Sequence, residues 1–134
     1  MKNVVVIGGG TALYNASIEV SRYPRDFDIN IALGKDIVVK ACKAPFIKIL
    51  ANAGKEDWHD IATTLLQFDS DTIVYNAKTT LFIDAFTEGL LDPFKVVRIA
   101  LENAASISSV ILTTESVLFK VKEEKKNTLP EMEY

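Results

Sequence analysis

The chain has 134 residues, 49% of them apolar and 25% charged, with a formal net charge of -3, which is one soluble globular domain's worth of sequence with enough apolar side chains for a core. The acidic balance and the lack of any Lys/Arg cluster exclude a nucleic-acid surface, and no apolar run approaches the roughly 20 residues of a membrane span. The apolar stretch Val4–Ile7 is shorter than the about 7–15-residue core of a secretory signal, and the lone Cys42 excludes an internal disulfide, so a reducing cytoplasmic setting is expected.

Val4–Ile7 is β-branched throughout and reads as a short buried strand ending in the glycines Gly8, Gly9 and Gly10. Ala12, Leu13, Ala16 and Val20 then recur at helical spacing up to the breaker Pro24. A second helix is predicted from about Ile37, with Val38, Ala41 and Cys42 on one face and a kink or restart at Pro45. Phe46, Ile49, Leu50 and Ala53 continue its stripe to Gly54, a predicted C-cap. Trp58, Ile61, Leu65 and Phe68 mark a third helix capped by Asp57.

"DTIVY", Asp71 to Tyr75, is the clearest strand, followed by a turn and a short apolar element before Gly89. From Asp92, read as an N-cap with Pro93 in the first helical position, the longest helix is predicted through "TTE". Its small face, Ala100, Ala104, Ala105 and Ser108, suits close approach of another helix. Ser116–Lys122 alternates as an exposed strand does, and residues 123–134 form a charged, loose tail. The fold class is mainly α with a few short β-strands.

A strand, a glycine run and a helix also open a dinucleotide-binding unit. That fingerprint needs a further glycine where Leu13 stands, and an acidic residue at the end of a second strand roughly 20 residues on. Asp28 lies at that distance but precedes the apolar run "INIAL", and the downstream chain lacks the β-α alternation. A Walker phosphate loop is excluded because no Gly-Lys-Ser/Thr closes the run. Cys42 and His59 have no partners at ligand or catalytic spacing and read as structural or surface residues; no metal site is expected.

"VVIGGGTAL", "KACKAPFIKILANAG", "YNA" and "GLLDPFKVVRIALENAASISSVILTTE" occur in this order, with Asn76 and Asp92 sixteen residues apart. The set resembles the C-terminal part of the equatorial ATP-binding domain of group I chaperonins of the GroEL type, as a fragment or a divergent paralogue. The resemblance covers about residues 4–121, so residues 1–119 are taken as the equatorial segment, ending in a subunit-contact strand at about 116–122. It implies a chaperone subunit that binds ATP and contributes the adenosine side of the pocket. Gly8 and Gly9 would let the backbone approach the nucleoside, Asn76 and Ala77 would meet the adenine edge, and Asp92 would accept hydrogen bonds from the ribose hydroxyls. Each also has a plainer role: tight turn, turn residue, helix cap.

In that family the phosphate loop, the magnesium-binding aspartate and the water-orienting aspartate lie outside the matched segment, so the segment alone is expected to be catalytically inactive. The implied partners are other chaperonin subunits in a ring, with unfolded clients and a co-chaperonin engaged through absent domains. Uncovered helices and a free edge strand would make the isolated chain self-associate. Lys78 stands where the family pattern has a small alanine, Val74 where it tends to have glycine, and "KKNTLPEMEY" replaces a Gly/Met-rich tail. The alternative these departures favour is a chaperonin-like assembly or scaffold module with a vestigial nucleotide site.

Overall fold

The computed structural model describes residues 4–24 and 27–118. Their order is β1 (Val5–Ile7), α1 (Thr11–Arg22), α2 (Ile29–Asn52), α3 (Trp58–Leu65), β2 (Ile73–Asn76), β3 (Leu81–Asp84), β4 (Leu91–Pro93) and α4 (Phe94–Leu112). The fold is therefore mainly helical with short strands, as expected. One compact unit extends to Ala100; a second begins at Leu101 and contains the C-terminal part of α4.

The strands form two antiparallel pairs. β1 pairs with β4, setting Val6 opposite Asp92, and β2 pairs with β3, setting Ile73 opposite Asp84 and Asn76 opposite Leu81. β1 is thus half-covered, and Val5 is exposed rather than buried. The core lies between the first three helices and the β2–β3 hairpin. It is built from Tyr14, Phe46, Leu50, Ile61, Ala62, Leu65 and Tyr75, with the Tyr14 and Phe46 rings 4.9 Å apart.

Helix α2 departs furthest from the sequence reading. It starts at Ile29, eight residues before Ile37, because the Asp28 carboxylate accepts the Asn30 N–H at 2.8 Å and caps it. It also passes Pro45 without a restart. An interior proline costs about 3 kcal/mol in an isolated helix. Here Cys42, Phe46 and Leu50 are all buried in one i, i+4, i+8 stripe around it, and that packing outweighs the lost bond. Ile49 and Val38, which the sequence places on the buried face, are exposed. Gly54 ends the helix as expected: at φ +73° it lets its own N–H reach Ala51 O (3.0 Å) and the Lys55 N–H reach Leu50 O (2.9 Å), a Schellman closure.

Asp57 occupies the N-cap position of α3, but its side chain makes no cap bond; its backbone carbonyl accepts from Asp60 and Ile61. Phe68 falls beyond α3 and packs on Phe82 instead, ring centres 5.3 Å apart. Asp92 and Pro93 are not the cap and first turn of a helix. They belong to β4, and α4 begins at Phe94, whose N–H donates to Val4 O at 3.0 Å. The pairing demand of β1 decides this, and a proline without an N–H is tolerated in a two-stranded sheet. At 19 residues α4 is shorter than the 24-residue α2, which is the longest described helix. Residues 116–118 lie outside regular secondary structure; the rest of the expected strand and the tail 123–134 lie outside the described residues.

Gly10 joins α1 to α2. It has φ +76°, and a Cβ there would stand 2.7 Å from Phe46 N and 2.8 Å from Phe46 Cα. Gly89 has a similar φ of +69° with open space around it. Gly10→Ala is therefore expected to cost about 3 kcal/mol, backbone strain plus overpacking, and Gly89→Ala only about 1 kcal/mol. Urea unfolding of both variants checks this; equal losses would contradict the packing role of Gly10.

Candidate functional site

The glycine run is a turn clasped from both sides. The buried Gly8 donates its N–H to Leu90 O at 2.8 Å, and its carbonyl accepts the Thr11 N–H at 3.1 Å. A Cβ on Gly8 would stand 2.9 Å from the same Leu90 oxygen. Internal packing therefore demands glycine at positions 8 and 10. Gly9, at φ +66°, has only ordinary contacts around it, with Tyr75 O and the Leu90 side chain each 3.8 Å from its would-be Cβ.

The clasp sets Gly9 beside the Tyr75 carbonyl and Gly8 on the Leu90 carbonyl. Tyr75 immediately precedes Asn76 and Ala77, and Leu90 leads through Leu91 to Asp92 on β4. Asn76 is half-buried, and its Oδ1 accepts the N–H groups of Lys78 (3.0 Å) and Thr79 (3.3 Å). Its main-chain carbonyl accepts the Thr80 N–H at 2.8 Å, which holds Thr80 at φ +60°. With the amide oxygen so engaged, Asn76 has its NH2 donors to offer an acceptor atom. Ala77 packs half-buried on the core, and Asp92 is half-buried opposite Val6. A carboxylate there has acceptor capacity for hydroxyl or amide donors. Lys78 is exposed beside them.

Asp84, at the end of the β2–β3 hairpin opposite Asn76, carries a dense set of hydrogen bonds that the sequence does not single out. Its Oδ2 accepts from Thr72 Oγ1 at 2.5 Å, and its Oδ1 accepts from Phe86 N (3.1 Å), Thr87 N (2.8 Å) and Thr87 Oγ1 (2.9 Å). The Thr72 hydroxyl first, then the Thr87 amide and hydroxyl, hold its pKa below the ordinary aspartate value. The only sequence signal is an Asp followed three residues on by Thr, too common to single out.

A cleft of about 450 Å³ lies at a different place. It is lined by Thr11, Asn15 and Arg22 of α1 with Ile7, Leu65 and Ile73, and by none of the five predicted site residues. Among the described residues no group of three or more His, Cys, Asp or Glu side chains could hold a metal. Cys42 is buried, which pushes its thiol pKa up, and His59 stacks on Trp58 with ring centres 3.4 Å apart. No described helix is long and apolar enough to cross a membrane.

A carboxylate whose pKa is lowered on folding stabilises the fold above its unfolded value, and that contribution disappears as pH falls through the folded value. Wild type is therefore expected to exceed Asp84→Asn in urea midpoint at near-neutral pH. The gap should close progressively below about pH 4, the unfolded aspartate value. A gap that stays constant into acid would contradict the charge-assisted role.

Residues 1–122 match the model of the TCP-1/cpn60 chaperonin family. Among solved structures, a group III chaperonin in the open state superposes with TM-score 0.70 and 28% identity, over 85% of this chain and 24% of that one. The open-state monomer of a group II chaperonin from Methanococcoides burtonii superposes with TM-score 0.73 and 21% identity, over 82% of this chain and 28% of that one. The chain thus spans about a quarter of the length of these structures. On a family match that takes in β1 through α4, the chain belongs to the TCP-1/cpn60 chaperonin family.

Proposed function

We propose that this chain is the nucleoside-binding part of an ATP-driven protein-folding chaperonin. The observation that carries the reading is the clasped turn, with Gly9 between Tyr75 O and the Leu90 side chain, on the segments that lead to Asn76 and to Asp92. In this reading Gly8 and Gly9 keep the backbone close to the nucleoside, the Asn76 amide and Ala77 backbone meet the adenine edge, and Asp92 accepts from the ribose hydroxyls. Bound ATP supplies the phosphoryl group whose transfer drives such machines; this chain's residues orient the nucleoside. Magnesium and phosphate contacts come from elsewhere in the whole protein, and the segment alone does not hydrolyse ATP.

The order of the four motifs and the sixteen-residue Asn76–Asp92 spacing support a group I type within the family. Its partners are other chaperonin subunits in a ring, with clients and a co-chaperonin bound through further domains, in the cytoplasm. Exposed Val96, Ile107, Val110 and Leu112 on α4 support such subunit contacts. The second reading, an assembly module with a vestigial pocket, is favoured by the exposed charge of Lys78 beside Asn76.

Nucleoside contacts alone are expected to give a dissociation constant of about 1 mM. ATP and adenosine titrations followed by amide NMR shifts are expected to perturb Gly8, Gly9, Asn76 and Asp92, and Asp92→Ala to abolish the response. Silence of these amides in wild type at several times that concentration would favour the vestigial module.

A further inference from the structure

We propose that Asp84 is the positioning residue of this site: one carboxylate ties the strand that ends at Asn76 to the segment whose Leu90 carbonyl holds Gly8 and which leads on to Asp92. The inference rests on the nucleoside reading above and deepens it.

The two oxygens of Asp84 act on different parts of the chain. Oδ2 takes the Thr72 hydroxyl, one residue ahead of the strand that ends at Asn76, and the Ala85 N–H donates to Thr72 O at 2.9 Å beside it. Ser70 Oγ, 2.9 Å from Thr72 Oγ1, completes the set, so the Thr72 hydroxyl can donate to Asp84 while accepting from Ser70. Oδ1 takes the N–H groups of Phe86 and Thr87 and so shapes the turn out of β3. The same turn is closed by Glu88 N–H on Asp84 O (3.1 Å) and Leu90 N–H on Ala85 O (2.9 Å). That second bond aims the Leu90 carbonyl at Gly8, and two residues later the chain reaches Asp92. Asp84 faces Ile73 across the hairpin, at the end opposite Asn76. It therefore acts through the backbone, without touching the nucleoside.

Asparagine at this position keeps the Oδ1 acceptor and offers Thr72 an N–H instead of an oxygen, which the Thr72 hydroxyl can accept. Alanine keeps neither. The test uses the full chain and two readouts, hydrogen exchange of the Gly8 amide and the adenosine titration. Asp84→Ala is expected to speed Gly8 exchange about tenfold or more, and to raise the adenosine dissociation constant by a similar factor. Asp84→Asn is expected to restore both to within about threefold of wild type. Thr72→Val, which removes the Oδ2 bond and the Ser70 hydroxyl contact but leaves the Oδ1 bonds, should fall between and serves if Asp84→Ala does not fold. Asp92→Ala should lose adenosine with Gly8 exchange unchanged.

Asp84→Ala with wild-type Gly8 exchange, or with Gly8 exposed and adenosine affinity intact, would overturn the proposal. So would failure of Asp84→Asn to rescue either readout. If wild type itself ignores adenosine, the nucleoside reading fails and the site role falls with it. Gly8 exchange in the three variants then still decides whether Asp84 holds the turn.

Discussion

Two glycines without side chains, Gly8 and Gly10, let two pieces of backbone touch the start of α1, and the rest of the compact unit depends on that approach. On one side Leu90 O receives the Gly8 N–H; on the other the Phe46 backbone fills the space where a Gly10 Cβ would be. The first contact anchors the segment leading to β4, and the second seats α1 on α2. Neither tolerates a methyl group, because protein backbone cannot move aside as a flexible side chain can. The persistence of α2 through Pro45 belongs to the same arrangement, since Phe46 is both the partner of Gly10 and the centre of the buried stripe.

The candidate site inherits its geometry from these contacts. Asn76 uses its amide oxygen to close a turn and is left with donors; Asp92 is held by a strand pair and keeps a carboxylate; Gly9 lies between their segments. In Asn76 the turn role and the proposed binding role use different atoms of one side chain. Asp84 lies one step further back, with every hydrogen bond directed to the chain that carries the others. Its backbone and hydroxyl donors favour the charged form, the usual means by which a partly exposed carboxylate holds a turn.

What could be read from the sequence was local or carried by motifs. The strand before the glycines, α1, the end of α2 at Gly54 and the β2 strand each leave a signal within a few residues, and the order of the motifs carries the chaperonin resemblance. What escaped was decided by distant partners. Asp92 and Pro93 read as a helix start in isolation, yet β1, some ninety residues earlier, recruits them into a strand. Ile29 to Asp36 show no clear amphipathic face, so the Asp28 cap had no pattern to support it. Gly10 looked like one glycine among three, and Asp84 like one aspartate among many, until Phe46, Thr72 and Thr87 were placed beside them.

The most direct measurement is a nuclear Overhauser spectrum of the labelled chain in solution, read at Gly8 and Gly10. The account predicts cross-peaks from the Gly10 α-protons to the Phe46 amide proton, and from the Gly8 amide proton to Leu90. Their absence, with α1 and α2 still helical by chemical shift, would mean the glycine turn does not clasp these segments and would contradict the account of both fold and site.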